Sequence, residues 1–141
     1  MNIKSLILSI IVVFIAVTLT DILIHGFWLS SLYGETKELW RPEAEMNSGK
    51  YMGWLHAAHL VAAITFTVLW AAGFAQSAKI SCGIKYGLFM ALFSQTHTLI
   101  SYAVQPFTIE IVWKWIASGV LQGIILGLIV FFVYKPKPTA A

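Results

Sequence analysis

The chain reads as four long apolar runs, roughly residues 5–32, 52–76, 83–104 and 109–134, separated by short polar stretches and one longer polar connection at 33–51. Each run is near or above the ~20 residues a helix needs to cross hydrocarbon. Short connections make consecutive helices antiparallel neighbours. The pattern therefore predicts an all-α, integral membrane protein: an antiparallel four-transmembrane-helix bundle, with residues 1–141 forming a single transmembrane domain. No internal repeat or low-complexity segment interrupts it.

Composition agrees, because 59% hydrophobic against 11% charged residues is far outside the range of an ordinary soluble domain. The first run, preceded by Lys4, has the look of a signal peptide. It continues through Ile24 to Leu32 with no A-x-A-like cleavage site, so it is read as a retained first span. Cys82 is the only cysteine and supplies neither a disulfide framework nor a CxxC metal motif.

Charge adds orientation. Lys4, Lys79, Lys85, Lys135 and Lys137 flank the runs on one side without a carboxylate among them. By the positive-inside rule that side is cytoplasmic and both termini are inside. The carboxylates lie elsewhere: Glu35, Glu38, Glu43 and Glu45 in the connection, Asp21 late in the first span and Glu110 early in the fourth. The net charge of +3 thus reports topology, and nucleic acid is not an expected partner. Pro42 can open a short helix in the connection, with Trp40 beside it at headgroup level. Pro106 breaks the chain between the third and fourth spans.

In the fourth span Gly119, Gly123 and Gly127 recur at four-residue spacing, which lets helix backbones approach closely in lipid. Packing inside the bundle is the plainer use of that face; a homodimer or a larger membrane complex is the alternative.

The candidate chemistry is a polar layer. His56 and His59, in "WLHAAHL", share a face at three-residue spacing early in the second span, while His25 and His97 fall late in the first and third. All four histidines then sit roughly 6 to 12 Å outward of the midplane at 1.5 Å rise per residue. Asp21, four residues before His25, is placed to orient that imidazole from the second shell of a metal site. Ser94, His97, Thr98, Ser101 and Gln105 form one further stripe, and Glu110, Lys114, Ser118 and Gln122 another, with Glu110 and Lys114 spaced as an ion pair. Such groups should face the bundle interior or a water-filled cavity.

Three uses compete. Imidazoles from facing helices suit a transition metal ion (Zn, Cu, Ni or Fe) or one haem b, with His25, His56, His59 and His97 as ligands. Intramembrane Asp, His, Glu and Lys also mark proton relays, and the outer tryptophans suit a quinone headgroup. Finally, the polar groups can simply hold the helices together, as in a non-enzymatic accessory or assembly subunit. No nucleophile with a matched base, no phosphate loop and no paired ExxH motif is present.

On the motifs "DILIHG", "LWRPEAEM", "YAVQPF" and "KWIASGVLQGIILGLIVFFVYKP", the chain resembles a group of small uncharacterised bacterial four-helix inner-membrane proteins. The resemblance implies the bacterial inner membrane and brings no activity, cofactor or site residue with it.

Overall fold

The computed structural model describes residues 1–77 and 79–137. It is helical, and among the described residues there is no strand. The elements are α1 (Ile3–Asp21), running on into a π-helical segment (Ile22–Trp28), then α2 (Ser30–Glu35), a 3-10 turn (Lys37–Leu39), α3 (Glu43–Met46), α4 (Gly49–Gly73), α5 (Ile80–Val104) and α6 (Ile109–Val133). Their ends follow local chemistry. The Asn2 side chain accepts from the Ser5 amide to cap α1, and Thr108 caps α6 by accepting from the Ile111 amide. Gln105, ahead of Pro106, is extended and ends α5.

Three helices are long and apolar enough to cross a membrane: α1 with its π-helical extension, α4 and α6. These mark the chain as a membrane protein. The helix α5 has the same 25-residue length as α4 and α6, but Ser94-Gln95-Thr96-His97-Thr98 in its C-terminal half dilutes its apolar character. Large apolar side chains cover the outside, with Phe93 76%, Phe27 72% and Trp54 71% exposed. Water would tolerate that surface poorly, whereas lipid tails do not penalise it.

The four long helices pack in the order α4, α1, α6, α5. Antiparallel α5 and α6 interlock through small residues: Gly83, Gly87 and Ala91 on one helix lie against Gly127 and Gly123 on the other. A Cβ at Gly83 would come within 2.8 Å of the Gly127 carbonyl oxygen and 2.9 Å of the Phe131 side chain. Only glycine permits this approach of two backbones. The glycine face of α6 is thus covered within the chain, so it is not a free dimer face.

The start of α1 and the residues just after α6 meet at one end of the bundle. The Asn2 amide donates to the Tyr134 hydroxyl at 3.2 Å, and the Lys135 amide donates to Ser5 Oγ at 2.7 Å. Antiparallel pairing brings the close of α4 and the start of α5 to this same end, where Trp70, Phe74, Tyr86 and Phe131 form an aromatic cluster. The Tyr86 hydroxyl donates across to the Phe66 carbonyl and ties α5 to α4. At the opposite end Trp40 is half-buried in a second aromatic cluster. It packs on Tyr33, Phe107 and Trp115 with ring centroids 5.0, 5.5 and 6.0 Å away.

Candidate functional site

The π-helical segment decides which residues meet. The Leu29 amide bonds the Ile24 carbonyl at 2.9 Å, five residues back, so the turn takes up about one residue more than an α turn. The i, i+4 rule that set His25 over Asp21 fails here, and that pairing is corrected. Asp21 reaches instead to His59 on α4, with Oδ2 2.7 Å from Nε2.

His59 is 6% exposed and both its ring nitrogens are engaged, for Thr18 Oγ1 lies 3.1 Å from Nδ1. Thr18 and Asp21 are one turn apart on α1, so the imidazole docks across two rungs of a single helix face. The second Asp21 oxygen, Oδ1, accepts from Gln122 Nε2 of α6 at 2.7 Å. The same amide nitrogen donates to Thr20 Oγ1 at 2.7 Å, and Thr20 donates back to the Ala16 carbonyl at 2.8 Å. One carboxylate therefore fastens α1 to both of its neighbours. The Asp21 side chain is 24% exposed.

The proton positions follow from the partners. An ionised Asp21 only accepts, so His59 donates from Nε2–H. On a neutral ring Nδ1 then accepts from the Thr18 hydroxyl. If Nδ1 takes up a proton, the hydroxyl rotates to accept it, and no heavy atom has to move.

His25 belongs to a second chain of bonds. Trp115 Nε1, which can only donate, lies 2.7 Å from the Tyr33 hydroxyl oxygen. That hydroxyl is 2.6 Å from His25 Nδ1, donating to the ring when the His25 proton is on Nε2 and accepting from it when the proton is on Nδ1. Burial is the main force pushing the Tyr33 phenol above its ordinary value of 10.0, partly opposed by the Trp115 hydrogen bond and assisted by the charge of Asp21. At neutral pH the phenol keeps the proton that this arrangement requires.

Between the two chains of bonds lies a pocket of about 180 Å³, lined by His25, Gln95, Thr98, Trp115, Ser118 and Gln122. Its wall includes Gly119, whose missing side chain makes room for the Gln95 amide. Gln95 accepts from Thr98 Oγ1 at 2.8 Å. Gln122 is shared: one face looks into the pocket and its amide holds Asp21.

The four histidines are not gathered into one site. His56 is exposed and its Nδ1 donates to the Met52 carbonyl at 2.7 Å; its ring centroid is 6.3 Å from that of His59. His97 is exposed on α5, outside the pocket its neighbours Gln95 and Thr98 line. Among the described residues no three His, Cys, Asp or Glu side chains are grouped so as to hold a metal ion. The two engaged nitrogens of His59 would have to leave their partners to ligate anything. The pocket's 180 Å³ falls below the ~300–1,000 Å³ usual for organic ligands. Ser101 is half-buried, and Glu110 pairs with Lys114 at 2.5 Å at the exposed start of α6, where such a pair adds little.

Thr18, Thr20, Tyr33 and Gln95 were outside the residues that the sequence singled out for the site, whereas Trp115, expected with Trp54 and Trp113 to line an outer pocket, does line one. For Thr18 a signal was present, since it precedes Asp21 by three residues. Comparison with protein-family models, with curated proteins and with solved structures finds no match for the chain.

Proposed function

We propose that the protein is a four-span membrane protein, with α5 as the fourth span, whose Asp21–His59 pair reversibly binds a proton in the outer half of the bundle. The bacterial inner membrane, with both termini cytoplasmic, is the setting that the lysine distribution and the sequence resemblance favour. The observation that carries the reading is the imidazole of His59, buried between a carboxylate on Nε2 and a hydroxyl on Nδ1 that serves as donor or acceptor. Ionisable groups kept inside a membrane bundle mark functional sites by default. A purely structural clamp needs only the hydrogen bonds, and Ser or Asn would supply those without an ionisable pair.

The pocket beside Gln122 gives water or a small polar solute a place to meet the pair. Gln122 links the two, so occupation of the pocket and the protonation of Asp21–His59 influence one another in this reading.

Nitrogen NMR of histidine-labelled protein in lipid bilayers tests it. As pH is varied over the range in which the protein stays folded, the His59 signals should report both a neutral and a charged ring, with the balance between them altered in Asp21→Asn and unaltered in His56→Gln. A His59 fixed in one protonation state throughout that range would leave only the clamp.

A further inference from the structure

At the end of the bundle where the chain termini meet, α4 and α5 diverge around a groove of about 480 Å³. Its floor and walls are apolar, with Leu69, Phe74, Phe89 and Met90, and its rim carries Ser77, Lys79, Ser81 and Lys85. We infer that this groove is a binding site for an anionic phospholipid, its phosphate held at the rim by Lys79 and Lys85 and an acyl chain laid along the apolar wall.

Charge complementarity points to that occupant. The six carboxylates of the chain are Asp21, Glu35, Glu38, Glu43, Glu45 and Glu110, and none lines the groove. Among the described residues neither lysine is in an ion pair. Lys4 and Lys135, at the same end through the contact between the chain termini, add to an uncompensated positive field. The serine hydroxyls supply neutral donors for phosphate oxygens, and basic pockets between spans on the cytoplasmic side are where anionic headgroups bind. The shape separates a lipid from a free anion. A phosphate ion would use only the rim, whereas the wall beneath it, including Phe89 at 67% exposure, matches a hydrocarbon chain.

The inference rests on the membrane-spanning reading. It is tested on the full chain purified in mild detergent, stripped of lipid, and incubated with equal amounts of phosphatidylglycerol and phosphatidylcholine of the same chain length. Native mass spectrometry then counts the bound lipid. Each lysine near an anionic headgroup is worth about fivefold, so phosphatidylglycerol should be retained roughly 25-fold over phosphatidylcholine. The preference should vanish in Lys79→Gln/Lys85→Gln and persist in Lys79→Arg/Lys85→Arg, which keeps the charge. Met90→Trp, which fills the groove, should reduce retention of both lipids.

Equal retention of the two lipids by the unaltered protein overturns the site. So does a preference that survives Lys79→Gln/Lys85→Gln, or one lost equally in Lys135→Gln/Lys137→Gln, which would make it a property of the whole charged end. Displacement of phosphatidylglycerol by inorganic phosphate at modest excess would assign the rim to a free anion. A protein that stays dispersed without detergent removes the membrane reading itself. One that needs detergent yet does not discriminate removes only the lipid site.

Discussion

Replacing Gly123 by alanine puts one methyl group into the seam between α5 and α6. The added Cβ would lie 2.5 Å from the Ala91 Cβ and 2.7 Å from the Gly87 carbonyl oxygen, where ordinary contact begins at 3.4 Å. Relief requires a retreat of 3.4 minus 2.5, about 0.9 Å, and backbone on the far side cannot swing away as a long side chain would. The two helices must separate, thinning the contacts at Gly83, Gly87 and Gly127 as well. An overpacked core site typically costs 1–3 kcal/mol, and about 2 kcal/mol is expected here because the seam is shared by several turns. Gly53→Ala is the internal control. It has nothing within 4 Å and lies in α4, so it gains only helix propensity, up to about 1 kcal/mol. Unfolding followed by circular dichroism in a detergent–SDS titration should move the two midpoints in opposite directions. If Gly123→Ala proves as stable as Gly53→Ala, the close-packed seam is not what holds α5 to α6.

Thr67 is fully buried and its hydroxyl has no partner, so Thr67→Val should be neutral or raise stability by up to about 1 kcal/mol in the same titration; a loss would mean the hydroxyl is satisfied. His59→Leu removes the Asp21 partner and leaves a partly buried carboxylate held only by Gln122, costing about 2 kcal/mol, with Asp21→Asn/His59→Leu costing less than the single change. The folded protein holds the Tyr33 proton more tightly than the unfolded chain does. Its contribution to stability is therefore full below the ordinary phenol value of 10.0 and is lost as pH rises above it; Tyr33→Phe should flatten that alkaline limb, measured by denaturation between pH 8 and about 11.

The helices were legible in the sequence because each is written locally. Asn2 and Thr108 stand one residue before α1 and α6, Pro106 follows the last turn of α5, and apolar runs fill the spaces between. The glycine stripe of α6 was equally plain, although its occupant, the Gly83–Gly87–Ala91 face of α5, depends on the register of two helices and is written in neither alone. For the site, the structure differs from expectation at two points: Asp21 pairs with His59 and not with His25, and the four histidines are not gathered together. A π-helical turn costs a residue of phase, and "ILIHGFW" carries no local mark that requires it beyond Gly26. Asp21, ahead of that turn, shares the face of Thr18 that meets α4, and the pair it forms joins residues 38 positions apart. His56 and His97 share a depth with His59 along the sequence, but depth says nothing of the direction in which a side chain leaves its helix.

The hydrogen bonds joining Asn2 to Tyr134 and Ser5 to Lys135 make the path of the backbone nearly a closed ring. Connecting those ends and opening the ring between α5 and α6 would make α6 and α1 consecutive in synthesis, with the new termini at the acidic end. Every contact described for Asp21, His59 and Gln122 would be kept. The order in which the spans are made and the arrangement in which they pack are thus separable in this protein, and the Asp21–His59 pair belongs to the packing.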